Sequence, residues 1–358
     1  MTKVLHVITG LGLGGAERSL LQVACGLQVR GMPQHVVSMG NRDAYADELQ
    51  AHGVPVDALG LRSASGGLRG LFALVRLIKQ VRPSVVQGWM YHGNVLAALA
   101  HRFAATQAPP KLFWNLRASN MDDARYRWII RANALLSRWP DIIIANSQAG
   151  LAYHISRGFR PRQAVVIPNG IDVDLFRPDA AIRAKLRGEL GISPDAIVAL
   201  HVARVDPMKD HASFLAAMGR LLQVTGLLVG AGTDTLTLPA NAKALGPRRD
   251  VPALCACADI IVSTSAFGEG FSNVLAEGMA SGLIPVATDV GDSRLIVGST
   301  GYVVAPGDVD ALTNAVSAIA SLPEAERRSR GALARSAIVE NFTLAKAVDA
   351  YDRIYSAA

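Results

Sequence analysis

Short apolar runs, many of them β-branched, alternate along this chain with stretches of helical periodicity, and the alternation occurs twice over. The first series is Val4–Thr9, the helix-like Glu17–Val29, Gln34–Met39, the helix-like Leu68–Val81, Val85–Trp89, Asp141–Ala145 and Ala164–Pro168. Such a βαβα pattern predicts a parallel sheet with helices on both faces. After Pro168-Asn169-Gly170-Ile171-Asp172 the pattern restarts. It runs through Ile197–His201, a helix from His211 to Leu222, Thr225–Val229, Ile260–Ser263, a helix from Asn273 to Ala280, and Pro285–Thr288. Two such series joined by a Pro/Asn/Gly/Asp-rich junction read as an α/β chain of two Rossmann-like domains sharing a cleft. The last helix, Leu344–Tyr355, carries Ala347, Val348, Tyr351, Ile354 and Tyr355 on one stripe, so it must pack on something.

At 358 residues the chain has room for two domains or one large one. Half its residues are hydrophobic and 18% are charged, so it can bury a sizeable core. Cys25, Cys255 and Cys257 are too few for a disulfide framework and fit a reducing compartment. Arg, Asp or Gly breaks every long apolar run, so no segment approaches the ~18 residues of a membrane span. The segment Lys3–Thr9 reads as a buried strand rather than a leader. The net charge of +7 is unevenly spread. Residues 1–170 hold 19 Lys and Arg against 8 Asp and Glu, whereas residues 171–358 hold 17 against 21. A basic half joined to a mildly acidic half implies surfaces that meet different things, with simple solubility as the alternative.

The first βα turn reads Gly10-Leu-Gly12-Leu-Gly14-Gly15-Ala-Glu17 and matches a dinucleotide fingerprint. The confirming acid should end the second strand, but that strand ends Val37-Ser-Met-Gly40-Asn-Arg-Asp43 with no acid at its tip. An NAD(P)-dependent oxidoreductase is thereby disfavoured. Glycines that let backbone N–H groups approach a phosphate at a helix start remain, beside the plainer reading of a tight turn. In the second series, Arg204 and Lys209 follow directly on a strand, in the loop where α/β sheets bind ligands. Two cations there can neutralise a diphosphate without a divalent metal, or they are simply solvated. Further on, Ser265-Ala-Phe267-Gly268-Glu269-Gly270-Phe271-Ser272-Asn273-Val-Leu-Ala-Glu277 sets Glu269 between glycines and places Ser272 to cap the helix that holds Glu277. A loop of this kind aims N–H groups at an anion, and paired carboxylates suit a hydroxyl-rich ligand.

Together the Gly-Gly-Ala-Glu turn, Ile167-Pro-Asn-Gly-Ile-Asp172, the Arg204/Lys209 loop and Glu269-x7-Glu277 resemble retaining glycosyltransferase family 4, of the GT-B fold. Leu254–Ser263 and Ser281-Gly-Leu-Ile-Pro-Val-Ala287 add to the resemblance, which covers nearly the whole chain. It implies an acceptor-side domain over residues 1–170, a nucleotide-sugar domain over 171–340, and a helix over 341–358 that crosses back to the first domain. It further implies that Arg204 and Lys209 bind the donor diphosphate, that Glu277 binds ribose hydroxyls and Glu269 the transferred sugar. Gly14, Gly15 and the N–H groups of Phe271, Ser272 and Asn273 would stabilise the leaving phosphate. The activity so implied is that of a metal-independent retaining hexosyltransferase with no cofactor. Its donor is a UDP-sugar ahead of a GDP-sugar, and its acceptor a glycan or lipid-linked glycan of cell-surface polysaccharide or glycolipid synthesis. A GT-B relative with epimerase-like nucleotide-sugar chemistry and a non-catalytic sugar-nucleotide module are the alternatives.

Many members of that family carry a His after the fourth or fifth strand, near the reaction centre. Here Trp89 and Asn115 stand where that His is expected, and His92 follows three residues late as the replacement candidate. Arg117 and Asn120 are acceptor-side candidates. Asp172-Val-Asp174 looks like a metal motif of another glycosyltransferase fold but lies in the junction, where Asp172 is expected to turn the chain. Cys255-Ala-Cys257 lacks a second ligand pair at zinc spacing and reads as two buried thiols. Asp122–Pro140 interleaves arginines with Tyr126, Trp128, Leu135 and Trp139, which fits either a membrane interface or packing within the domain. No nucleic-acid motif accompanies the positive charge. An acceptor bearing phosphate, or an anionic cytoplasmic leaflet, would account for it, so the expected location is cytoplasmic with peripheral contact at the inner face of the plasma membrane.

Overall fold

The computed structural model describes residues 2–358 apart from 13, 62–65 and 118–122. It divides into two compact units, Met1–Gly170 with Leu344–Ala358, and Ile171–Thr343. The strands of the first unit are β1 (Val4–Ile8), β2 (Gln34–Ser38), β3 (Val56–Ala58), β4 (Val85–Trp89), β5 (Lys111–Leu116), β6 (Ile142–Ala145) and β7 (Ala164–Val166). They form one parallel sheet in the order β3-β2-β1-β4-β5-β6-β7, with Val4 opposite both Gln34 and Val85. Helices α1 (Gly15–Val29) and α2 (Ala46–Ala51) cover one face of it. The other face is covered by α3 (Gly66–Val81), α4 (Met90–Ala104) and α5 (Asp123–Leu136), with α6 (Gln148–Ser156) following β6. Both faces being covered explains why β1 is buried at every position and reads as a continuous apolar run.

The second unit starts with α7 (Ala180–Glu189). Its sheet contains β8 (Ile197–Val202), β9 (Val224–Val229), β10 (Ala242–Ala244), β11 (Ile260–Ser263), β12 (Ile284–Thr288) and β13 (Tyr302–Val304), parallel in the order β10-β9-β8-β11-β12-β13. Helices α8 (His211–Arg220) and α12 (Val309–Ala320) pack on one face. The opposite face carries α7, α9 (Val251–Cys257), α10 (Asn273–Ala280), α11 (Ser293–Val297) and α13 (Glu324–Asn341). Cys255 and Cys257 are free buried thiols in this layer, and burial pushes Cys257 up to about 11. Asp172 Oδ1 accepts from the N–H groups of Asp174 and Leu175, at 3.1 and 3.0 Å, so it turns the chain as its sequence setting suggests.

The last helix, α14 (Leu344–Ser356), belongs to the first unit and lies on α1. Its buried residues are Ala347, Val348, Tyr351 and Tyr355, four of the five positions on the apolar stripe. A Cβ on Gly26 of α1 would fall 2.7 Å from Val348 Cγ2, so the two helices approach over a glycine. The chain re-enters the first unit at Leu344, slightly later than the expected break at 340/341. Phe342 stays with the second unit because its carbonyl accepts from Ile171 N–H at 2.8 Å and its ring packs on Phe271.

In each sheet the strand order reverses beside the first strand of its unit. In the first unit β1 leads to α1 on one face and β4 to α4 on the other; in the second, β8 leads to α8 and β11 to α10. The loops leaving the carboxyl ends of these strand pairs flank a crevice where ligands of such sheets bind.

Candidate active site

In the second unit the two loops at that reversal are the ones that carry the sequence motifs. The β8 loop is shaped by Asp206, whose carboxylate accepts from Met208 N–H at 3.0 Å and starts a short 3-10 turn, Pro207–Lys209. That backbone bond, joined by the nearby Arg204 guanidinium, lowers the Asp206 pKa. Arg204 is largely exposed and donates to Asp206 Oδ2 through Nε and Nη2, at 3.2 and 2.9 Å. Asp210 sits at a positive φ of 43° and caps α8 by accepting from Ser213 N–H at 3.1 Å.

The β11 loop meets this turn directly. Thr264 Oγ1 donates to the carbonyls of Lys209 and Asp210 at 2.9 and 3.0 Å, and Ala266 N–H donates to Met208 O at 2.9 Å. Lys209 Nζ forms an ion pair with Glu269 Oε1, with the side chains 23% and 11% exposed. Ser265 Oγ donates to the same carboxylate oxygen at 2.7 Å. The Glu269 carboxylate is therefore fixed by an ammonium from one loop and a hydroxyl from the other. Gly291 in the β12–α11 loop completes the support: a Cβ there would fall 2.5 Å from Gly270 O, and Asp292 N–H donates to that carbonyl at 3.0 Å. Ser265, Thr264 and Gly291 escape sequence reasoning, because nothing local marks a residue as lying under another strand's loop.

The remaining predicted donor residues surround the start of α10. Ser272 occupies the N-cap position, but its side chain makes no capping bond and is buried, which corrects the expected hydroxyl cap. Phe271 is also buried and packs edge-on against Phe342 at 5.2 Å, so only its backbone can meet a ligand. Asn273 is the first helical residue. Glu277 is buried one turn further along α10. Below the β8 loop lies a pair that the sequence did not single out. The rings of His201 and His211 stand edge to face at 4.7 Å, and burial lowers His201 to about 3.

In the first unit, Gly14 is the N-cap of α1 and Gly15 its first residue. A Cβ on Gly14 would fall 2.2 Å from the Glu17 carboxylate, so the helix start expected to meet a phosphate already lies against the chain's own carboxylate. Burial raises the pKa of that carboxyl. No acid stands at the tip of β2, where a nicotinamide site would need one; Ser38 ends that strand.

Trp89 and Asn115, at the positions of the expected His, are buried and do structural work. Trp89 Nε1 donates to His6 Nδ1 at 3.0 Å, leaving Nε2 of that ring to donate to Gln34 Oε1 at 2.8 Å. The neutral tautomer follows from these partners, and burial holds the His6 pKa down at about 4. Arg117, directly after β5, lies over the Trp89 ring at 4.7 Å. It donates through Nε to Asn115 Oδ1 at 2.8 Å, through Nη1 to Asn169 Oδ1, and through Nη2 to Tyr351 Oη at 2.8 Å. Three neutral oxygens and an aromatic face orient the guanidinium without cancelling its charge. His92 is exposed in the first turn of α4, and desolvation lowers its pKa. Asn120 lies outside the described residues. Among the described residues no group of three or more His, Cys, Asp or Glu is placed to hold a metal ion.

Two parallel sheets, each presenting its motif-bearing loops at the point where strand order reverses, define an α/β chain of two Rossmann-like units. Anabaena HepE, solved in complex with UDP, matches it over the full length of both chains with a TM-score of 0.87 at 24% identity, and the fold is that of the GT-B glycosyltransferases. The family model of glycosyl transferases group 1 matches residues 196–321, and that of glycosyltransferase family 4 matches residues 13–175. EpsF of Bacillus subtilis strain 168, named as a glycosyltransferase, is 27% identical over 311 residues, covering 80% of this chain and 79% of its own. The UDP-Gal:alpha-D-GlcNAc-diphosphoundecaprenol alpha-1,3-galactosyltransferase of Escherichia coli is 22% identical over 342 residues, or 87% and 85% of the two chains. The chain belongs to the family 4-type glycosyltransferases.

Proposed function

We propose that the chain transfers a hexose, with retention at the anomeric carbon and without a metal, from a UDP-sugar to a glycan or lipid-linked acceptor. The observation that carries this reading is the Lys209–Glu269 ion pair, which joins the two loops at the strand-order reversal with Arg204 beside it. Lys209 and Arg204 supply positive charge for a diphosphate, and the N–H groups at the start of α10 add donors for the charge that develops on the leaving phosphate. Glu269 accepts from the sugar hydroxyls while its neighbours hold it in place, and Glu277 serves the ribose. The acceptor hydroxyl attacks from the face the diphosphate leaves, and a phosphate oxygen takes its proton. No side-chain nucleophile is needed on this route. Arg117 and His92, at the carboxyl edge of the first sheet, serve the acceptor.

Support for UDP comes from HepE, which was solved with UDP and with UDP-glucose, and from the UDP-galactose-dependent relative. That relative's diphosphoundecaprenol substrate also supports a lipid-linked acceptor, which fits a location at the cytoplasmic leaflet. Among the described residues no helix is long and apolar enough to cross a membrane.

Thermal-shift screening against UDP-, GDP- and ADP-sugars tests the donor, since the bound nucleotide raises the melting temperature by mass action. The Arg204→Ala/Lys209→Ala double variant should keep its far-UV spectrum and lose transfer, while chelator leaves the wild-type rate unchanged. Normal turnover by the double variant would overturn the scheme.

A further inference from the structure

Much of the first unit's positive charge is spread over helices α3, α4 and α5, which hold 7 Lys and Arg against 1 Asp. Arg117 is a different kind of cation. It is half-buried directly after β5, and none of its partners among the described residues is a carboxylate. Arg187, the buried arginine of the second unit, shows the contrasting arrangement: its Nη2 meets Asp259 Oδ2 at 2.8 Å, and backbone carbonyls take its other nitrogens. A cation drawn out of water without an opposite charge costs free energy, which a ligand bringing that charge returns. The hydrogen bonds around Arg117 also leave donors over. A guanidinium has five N–H donors. Nε gives its one to Asn115 Oδ1, Nη1 gives one to Asn169 Oδ1, and Nη2 gives one to Tyr351 Oη, so each terminal nitrogen keeps one N–H. Tyr351 Oη accepts from Asn115 Nδ2 as well, at 2.7 Å. Both lone pairs of the phenol oxygen therefore face nitrogens that can only donate, and no described residue accepts the phenol's own proton. Tyr351 is 1% exposed, so bulk water does not take that proton either.

Resting on the reading of Arg117 as an acceptor-side residue, we propose that Arg117 and Tyr351 form an oxyanion seat for a carboxylate or phosphate group borne by the acceptor. Every function left open on the cluster is a donor, two guanidinium N–H groups and a phenol O–H, with a full positive charge behind them. An ionised carboxylate or phosphate presents acceptors only and supplies the missing charge. A neutral sugar hydroxyl would satisfy one donor and leave the charge uncompensated. The donor diphosphate has its own cations in Arg204 and Lys209 of the second unit. The Trp89 ring and the two asparagine oxygens hold the guanidinium plane in place, so little ordering is left for the ligand to impose. The consequence is a specificity for charged acceptors to which α14 contributes, through a tyrosine 234 positions away from Arg117.

The test uses the whole protein with isotopically labelled arginine, saturated with UDP so that Arg204 and Lys209 are occupied. The probes are methyl phosphate, methyl α-D-glucuronide for the carboxylate, and methyl α-D-glucoside as the neutral control. The Nε–H resonance of Arg117, assigned by its absence from Arg117→Gln, should shift and saturate with at least one anion and stay in place with the glucoside. The anion that binds more tightly identifies the source of the charge. Arg117→Lys keeps the charge and loses the planar fork, so calorimetry should show that anion bound at least tenfold more weakly. Tyr351→Phe removes the phenol donor and should weaken the anion about fivefold, with UDP affinity unchanged in every variant. Failure of both anions to move Arg117 overturns the inference, as does equal binding of the glucoside or an anion affinity that survives Arg117→Lys. Loss of UDP affinity in Arg117→Gln also overturns it, because the cation then serves the donor. UDP binding without anion binding refutes the seat alone. If the wild-type protein binds no UDP, the transferase reading fails, and the same titration without UDP still decides the seat.

Discussion

Replacing Glu269 by Gln should tighten the binding of free UDP while impairing sugar transfer. Lys209 Nζ is shared: Glu269 already holds it, and a diphosphate oxygen on the same ammonium would bring two negative groups to within about 6 Å of each other, one contact length on each side. At that separation an effective dielectric constant of about 20 gives roughly 3 kcal/mol of repulsion per unit charge. The intervening ammonium and the salt reduce this about threefold, to ~1 kcal/mol. Glu269→Gln removes that repulsion and keeps an acceptor for Ser265, so UDP affinity should rise about fivefold. Lys209→Met should do the opposite, losing a charge-assisted bond of about 1.5–3 kcal/mol and weakening UDP by at least tenfold. The double variant should fall between them, and the cycle reports the coupling. Isothermal calorimetry with UDP measures all four proteins. Transfer by Glu269→Gln should nonetheless fall more than tenfold, because its one amide oxygen, already shared with Ser265, has a single lone pair left for sugar hydroxyls where the carboxylate has several. UDP binding that weakens in Glu269→Gln would refute this competition and show that the carboxylate orients Lys209 for the phosphate.

Three further outcomes follow from the packing. His6 and His201 have folded pKa values near 4 and 3, below the free value, so each contributes stability that is complete above about pH 6.5 and is lost as pH falls. At pH 5 the unfolded chain gains about 2 kcal/mol from each proton the fold refuses; urea titrations at pH 7.5 and 5 should show this loss, and His201→Phe should remove the second unit's share. Tyr351→Phe should free Arg117 and Asn115 of a shared oxygen, lowering transfer to acceptor while leaving UDP affinity unchanged; a drop in UDP affinity would contradict the assignment of this cluster to the acceptor. Gly26→Val should force α14 off α1 at a cost of about 1–3 kcal/mol, read as a lower urea midpoint and faster proteolysis of the C-terminal helix.

The order of strands and helices was legible because parallel strands buried on both faces leave continuous apolar runs, as in β1 and β11, and because Pro168–Asp172 interrupts them. The loops bearing Arg204, Lys209, Glu269 and Glu277 were legible too, since a strand end followed by a helix start is a local pattern. The stripe of α14 showed that the helix must pack, though not on what. Tertiary structure decided the partners. That Lys209 would spend its charge on Glu269, 60 residues away, depends on β8 and β11 being neighbours, and sheet order is not written in the spacing of either loop. Trp89 and Asn115 stand where the family's His was expected, and they became the bed of Arg117 once His6, Asn169 and Tyr351 came together from distant parts of the chain. The capping role expected of Ser272 failed for a similar reason: a cap is a matter of side-chain direction, which burial under neighbouring segments sets. The net charge of +7 was visible from composition, but its gathering on the α3–α4–α5 face arises only when the sheet separates those helices from α1, α2 and α14. Periodicity and strand ends are properties of adjacent residues, and the sequence holds them outright. Which loop faces which, and which charges share a surface, are decided by strand order and helix side, and those exist only in the folded chain.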